Sequence, residues 1–258
     1  MSKARTGLRQ GAAAKRENAP PPRLPIIDVA RGCAIAMMVA YHFCYDLNFF
    51  GFTHFDIYLG WQWIGWRYAI VTSFLLLVGA SLVLAQLRSW RGYWRRLLQI
   101  GACAVLVSLA SWLVFAERFI FFGILHFVFA ASLLGRLALP LGRWTAAIGL
   151  LVIALAMQFQ FPEMDARDLS WIGLAAHKPA TVDYEPLVPW LGVVLIGMAA
   201  TLQWRRLDFR VAPPLAAAAR LAPHWLGWLG RHSLLVYMLH QPLLMGVLKS
   251  VKLLQNLS

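Results

Sequence analysis

The sequence predicts an all-α, polytopic membrane helix bundle of about seven transmembrane helices with a cytoplasmic N-terminus. Three observations carry this. Hydrophobic types make up 60% of the 258 residues and charged types only 14%, with a mean hydropathy of +0.62. Soluble domains run nearer half apolar and a quarter charged. The apolar residues gather in runs near the ~20-residue length that crosses a bilayer core. The basic residues between those runs alternate from side to side with each crossing, as seven spans require. Together these exclude an ordinary cytosolic enzyme and exclude disorder over most of the chain.

Residues 1–22 carry Lys3, Arg5, Arg9, Lys15 and Arg16, then Pro20-Pro21-Pro22, with Arg23 at the edge. No apolar core with a small-residue cleavage site precedes Pro20, so a standard signal peptide is not expected. This stretch reads as a disordered basic cytoplasmic tail, and residues 23–252 as the bundle.

Spans are expected at 25–46, 66–86, 97–115, 119–139, 143–160, 187–204 and 232–249. The last contains Pro242, which cannot donate to the carbonyl of Met238 and should kink the helix there. The stretch 211–229 is Ala-rich and holds Pro213, Pro214 and Pro223. It is read as an interfacial helix in preference to a further span.

With the N-terminus inside, 17 Lys and Arg face two acids (Glu17 and Asp208) on the cytoplasmic side. Six basic groups face eight acids on the other. This puts the C-terminus outside, and it explains a net charge of +13 without nucleic acid. Cys33, Cys44 and Cys103 lie in apolar stretches with no CxxC spacing and read as small buried hydrophobes. Ala104, Ser108 and Ser111 share a face of the third span, and Gly79-Ala80 interrupt the second; such small residues let helices approach closely in lipid. Trp61, Trp63 and Trp66 read as an interfacial aromatic belt. No internal repeat is evident.

Ionisable groups inside a span are costly and mark function by default. The first span has four, Asp28, Arg31, His42 and Asp46. At about 100° per residue they share one face, over a length of about 27 Å. The face is expected to line a path between the two compartments. Asp28 and Arg31, at i, i+3, either pair with each other near the cytoplasmic surface or leave Arg31 to hold an anionic group such as a phosphate. His42 and Asp46, at i, i+4, either close a helix end or form an oriented base, the carboxylate steadying the imidazole. About 16 Å of helix separates Arg31 from His42. A phosphate-bearing cofactor with a long thin arm fits that spacing.

His126 is expected near the depth of His42, and His240 beside the Pro242 break. Either histidine fits an interhelical hydrogen bond as well as a functional role. Three histidines on three helices without local ligand spacing give no reason to expect a metal. Before the sixth span, Asp183-Tyr184-Glu185-Pro186 fits helix capping, which by itself accounts for Glu185. Asp183 and Tyr184 also fit the rim of an external site. Arg67 begins the second span on that side and either snorkels or pairs with Asp46. No GxSxG, Walker A or strand-to-helix GxGxxG is present.

Arg23-Leu24-Pro25-Ile26-Ile27-Asp28-Val29-Ala30-Arg31-Gly32, continuing through Tyr41-His42-Phe43-Cys44-Tyr45-Asp46-Leu47, resembles the opening of the heparan-alpha-glucosaminide N-acetyltransferase catalytic-domain family. The likeness continues in Gly123-Ile124-Leu125-His126-Phe127, in Asp183 through Trp190, in Gly230-Arg231-His232-Ser233-Leu234 and in His240-Gln241-Pro242. It spans nearly all of residues 23–249 and points to the small bacterial branch of these transmembrane acyltransferases. The chain is shorter than the lysosomal enzyme, so heparan sulfate is not carried over as its substrate.

The resemblance implies transfer of an acetyl group from cytoplasmic acetyl-CoA to an extracytoplasmic acceptor, a sugar amine or hydroxyl. It implies a bacterial cytoplasmic (inner) membrane and a catalytic helix-1 histidine, which His42 matches. On this reading His42, Asp46 and His126 are catalytic. Asp28, Arg31, Arg95, Arg96, His240 and Gln241 hold acetyl-CoA. Arg67, Asp183 and Tyr184 hold the acceptor. The partners are membrane lipids and a small-molecule or glycan acceptor; a homodimer is left open. Two other readings are a small-molecule or proton-coupled transporter, and a non-enzymatic membrane subunit using the stripe for assembly.

Overall fold

The structure is a computed structural model that describes residues 24–86 and 89–256. The basic tail expected at 1–22 lies outside the described residues. The described residues form ten α-helices, α1 (Pro25–Phe49), α2 (Trp61–Ala85), α3 (Trp90–Phe115), α4 (Ile124–Ala138), α5 (Trp144–Gln158), the single turn α6 (Arg167–Ser170), α7 (Leu187–Arg206), α8 (Pro213–Leu221), α9 (His224–Arg231) and α10 (Ser233–Gln255). The described residues contain no β-strand, only one isolated bridge between Phe161 and Ala175.

Among the described residues six helices are long and apolar enough to cross a membrane, and α5 is a shorter apolar helix of 15 residues. At 1.5 Å per residue α5 reaches about 22 Å, short of a ~30 Å hydrocarbon core. It nevertheless joins opposite ends of the bundle. The loop after it bonds to the loop before α4, since Thr181 Oγ1 donates to the Phe119 carbonyl and the Val182 N–H to the Arg118 carbonyl. The polytopic bundle expected from the sequence is thus built of six helices of spanning length and one shorter apolar helix that links its two ends.

The reason is a pair of non-helical segments that dip into the bundle. Expected at 119, α4 begins at Ile124. The chain before it runs back along α3: Ser108 Oγ donates to the Ile120 carbonyl and Ser111 Oγ accepts from the Ile120 N–H. Ser108 lies two turns before the end of α3, about 10 Å below it. The strand of chain at 181–185 follows the same course, with Glu185 N–H donating to Phe122 O. Irregular backbone at membrane depth survives only where protein or a polar cavity surrounds it.

Neighbouring contacts close α1, α2, α4, α3 and α10 into a ring. On the flank of α2 and α4 packs α7, which carries α5 on its far side. Small residues make the tightest seams. A Cβ on Gly79 would strike the Val194 carbonyl, one on Gly197 the Leu76 carbonyl, and one on Gly149 the Gly192 carbonyl. So Gly79-Ala80 does not break α2, which runs unbroken; it admits α7. The main apolar core, including Leu75, Val83, Phe127, Ala131 and Met198, fills the space among α2, α3, α4 and α7. Large apolar side chains elsewhere, such as Leu113 (78% exposed) and Leu137 (76%), face outward as a lipid-facing surface does.

The stretch expected as one interfacial helix folds as two, α8 and α9. Pro223 ends the first and opens the second. The second crosses α1 backbone to backbone: a Cβ on Gly32 would strike the Leu226 carbonyl, and one on Gly230 the Asp28 carbonyl.

Candidate active site

The polar face of α1 turns inward along its whole length, but its four groups form two separate clusters. The cluster at the N-terminal end of α1 centres on Arg31. One guanidinium nitrogen donates to Asp28 Oδ1 (3.3 Å) and to the Gly230 carbonyl at the end of α9 (3.2 Å). The other donates to Ser81 Oγ on α2 (2.9 Å). A cation at a helix C-terminus also meets the negative end of the helix dipole. Arg31 thus ties α1, α2 and α9 together at the end of the bundle where α1 begins. The Asp28–Arg31 ion pair open in the sequence is formed.

Between the clusters stands Ile35, 1% exposed and about 20° from Asp28 on the same face. The polar path expected between the two compartments is therefore interrupted by a packed isoleucine.

The outer cluster joins α1 to α10. His42 Nδ1 meets His240 Nε2 at 2.7 Å with the rings nearly parallel, 18° apart. His240 Nδ1 faces the carbonyls of Tyr237 (2.7 Å) and Val236 (3.2 Å). Carbonyls only accept, so His240 Nδ1 carries the proton and its Nε2 accepts. His42 Nδ1 must then be the donor. This leaves the His42 lone pair on Nε2, which accepts no hydrogen bond from the described residues. Tyr41 packs edge-on against the His42 ring at 6.0 Å.

Asp46 does not orient His42. Its carboxyl is fully buried, and Oδ1 accepts from Gln241 Nε2 at 2.8 Å. The expected His42–Asp46 pair is replaced by two rungs across the α1–α10 seam, His42 to His240 and Asp46 to Gln241. Nor does Asp46 pair with Arg67, which is exposed on α2 beside the Tyr68 ring.

His126 stands apart from the histidine pair. Its Nδ1 accepts from the Gly123 N–H (3.3 Å), and its Nε2 meets Ser108 Oγ (3.0 Å). These bonds fix the start of α4 against the inward-dipping loop, so the geometry brings His126 to a positioning task there and not to His42. Arg95 and Arg96 sit on the exposed side of α3. Arg95 lines a surface groove of about 620 Å³ with Trp90, Arg91, Trp94 and Leu98, separate from the α1 clusters.

At the outer side, Asp183 Oδ2 accepts from the Ile124 N–H (3.2 Å), so it caps α4, not α7. Tyr184 donates its hydroxyl to the Ser170 carbonyl (2.7 Å). That bond holds α6 in place and occupies the hydroxyl expected at an acceptor rim. Glu185 makes no cap for α7, whose N-cap is Pro186. Burial and the neighbouring Asp183 push the Glu185 carboxyl up to about 8, against the pull of Arg67 and Lys178. Asp183 is also raised by burial, opposed by the Ile124 N–H and by Lys178. Two half-buried acids thus share a site near one exposed arginine.

Sequence reasoning missed Ser81, Tyr237 and the electrostatic weight of Glu185. Tyr237 packs against the His240 ring at 5.7 Å and lies within electrostatic reach of Asp183 and Glu185. Its hydroxyl bonds to no described residue, and it links the histidine pair to the outer acids. Its i, i+3 spacing to His240 was the available signal.

A family model described as heparan-alpha-glucosaminide N-acetyltransferase, catalytic, matches residues 23–242. The chain belongs to this family. It is accordingly a transmembrane acetyltransferase, and the matched range holds every residue of both α1 clusters. No curated protein and no solved structure matches the chain.

Proposed function

We propose that the chain transfers an acetyl group from cytoplasmic acetyl-CoA to an amine or hydroxyl of an extracytoplasmic acceptor, with His42 as general base. The observation that carries this is the His42–His240 pair. Its hydrogen bonds leave one nitrogen, His42 Nε2, unprotonated and without a protein partner.

Acetyl-CoA supplies an activated acyl carbon and a thiolate leaving group. His42 Nε2 takes the proton from the acceptor. The positive charge that develops on the ring is steadied through Nδ1–H by the His240 lone pair, a role the sequence had given to Asp46. A positioned general base contributes typically 10²–10⁴-fold. Arg31 lies at the cytoplasmic end of the same helix, about 16 Å from His42, a spacing that suits a cofactor with anionic groups at one end and a thioester at the other. Its partners include the neutral Gly230 carbonyl and Ser81 hydroxyl as well as Asp28. Gln241 supports the donor site through the α1–α10 seam. The acceptor approaches from the outer face, past Arg67 and the half-buried Asp183 and Glu185. The inside-positive charge pattern and the likeness to the bacterial branch favour a bacterial cytoplasmic membrane.

The test uses purified protein in detergent or nanodiscs. Ligand binding raises the thermal midpoint by mass action. Acetyl-CoA should raise it in wild type and in His42→Ala alike, while His42→Ala should lose about 10²-fold or more of acetyl transfer to glucosamine. Absence of any shift with acetyl-CoA in wild type overturns the donor assignment. Full turnover in His42→Ala overturns the base.

A further inference from the structure

The outer rung of the α1–α10 seam holds an imbalance of donors. Asp46 is 0% exposed, and no basic side chain pairs with it among the described residues. Its Oδ1 accepts from Gln241 Nε2 at 2.8 Å. Its Oδ2 and Gln241 Oε1 are both buried and both lack a hydrogen-bond partner. An ionised carboxylate has no donor to offer, so in that state two buried oxygens stay unsatisfied and a full charge sits in the bundle. Each unsatisfied buried acceptor costs ~1–3 kcal/mol, and an unpaired charge costs more.

The surroundings offer no compensation. On its own helix, Tyr45 lies within electrostatic reach but donates no bond to Asp46, its hydroxyl meeting that of Tyr58 at 2.9 Å. His42, one turn earlier, points its proton at His240. From α2, Arg67 acts on Tyr41 and on the acids of the outer loop, but not on Asp46. From α10, Lys252 lies over the Phe52 ring. A single proton on Oδ2 would remove the charge and supply the one donor that these two unpartnered oxygens lack.

We infer that Asp46 is a neutral carboxylic acid, joined to Gln241 by two hydrogen bonds in opposite directions, and that this pair is a positioning device for the catalytic histidines. Asp46 lies one turn from His42, and Gln241 is the residue after His240. The two-point clasp fixes how α1 lies against α10, and so fixes the 2.7 Å contact that sets the His42 tautomer. Asp46 touches neither histidine in this arrangement. This inference rests on the acyltransferase reading for its kinetic consequence, but not for the protonation state itself.

Two measurements test it. Asparagine keeps one acceptor and replaces the acid O–H with an N–H donor, so it preserves both bonds without any proton. Asp46→Ala should lower kcat for acetyl transfer roughly tenfold or more, because misplaced groups lose effective molarity. Asp46→Asn should recover most of that loss and keep the wild-type pH profile. Equal impairment of the two variants, with acetyl-CoA still bound, overturns the proposal in favour of a working carboxylate charge. Wild-type kcat in Asp46→Ala overturns the positioning role. Infrared difference spectra between wild type and Asp46→Asn at neutral pH read the proton directly. A protonated-carboxyl C=O band should vanish in the variant; a carboxylate band vanishing instead overturns the inference. Should wild type transfer no acetyl group, the enzymatic reading falls while the infrared band still decides the state of Asp46.

Discussion

A histidine becomes a base by the company of its other nitrogen. His240 spends its Nδ1–H on two carbonyls of its own helix, and that local choice forces the proton of His42 onto Nδ1. Changing His240 therefore tests the pair without touching the proton-accepting atom. His240→Phe keeps a ring but removes the acceptor for His42 Nδ1–H, and it should lower kcat by about 10²-fold with little change in KM, read from steady-state transfer kinetics. Glu185 gives a second test at this scale, through pH. Its carboxyl is pushed up to about 8 from an ordinary 4.5 by burial and by Asp183. The fold thus holds a proton there that the unfolded chain releases above pH 4.5, so this group's contribution to stability falls as pH rises from about 4.5 to 8. Glu185→Gln should flatten that part of the thermal-midpoint curve and raise the midpoint at pH 8 relative to wild type. An unchanged slope would show that Glu185 is not the group responsible.

Among the elements, the crossing of α1 and α9 sets where the stripe begins. Gly32 and Gly230 let two backbones touch, and Arg31 locks the crossing by donating to the α9 carboxyl end at Gly230. Backbone cannot move aside as a flexible side chain can. Gly230→Ala should therefore destabilise the protein by about 1–3 kcal/mol, seen as a lower thermal midpoint, with Arg31-dependent packing lost in step. The spans themselves were legible in the sequence, because a run of 20 apolar residues has few other stable fates. Their ends were less so. For example, α4 was expected to begin at 119 and begins at Ile124, since Phe119-Ile120-Phe121-Phe122 is as apolar as the helix it precedes. Its non-helical course is set by Ser108 and Ser111 on α3, residues whose spacing suggested close packing but not what would be packed.

Over the whole molecule, charge and topology agree. The loop at 159–186 bonds to the loop at 116–123, so α5 returns the chain to the end where α4 begins, and an N-terminus inside, the side the charge pattern favours, would put the end of α10 outside. A C-terminal alkaline phosphatase fusion should consequently be active and a C-terminal green fluorescent protein fusion dark, the reverse holding for fusions in the loop between α2 and α3. The ring of α1, α2, α4, α3 and α10 brings first and last spans together, which places His42 beside a residue 198 positions away.

The sequence alone determined the membrane-spanning class and the helix that carries ionic groups, because transfer of apolar surface and charge across a bilayer depends on composition and order. It also singled out His42, Asp46, His240 and Gln241. Only the tertiary structure decided who bonds to whom. Spacing of i, i+4 puts His42 and Asp46 on one face, but side chains on one face point the same way and look outward to the neighbour. That neighbour is α10, and its register against α1 gives His42 an imidazole and Asp46 an amide in place of each other.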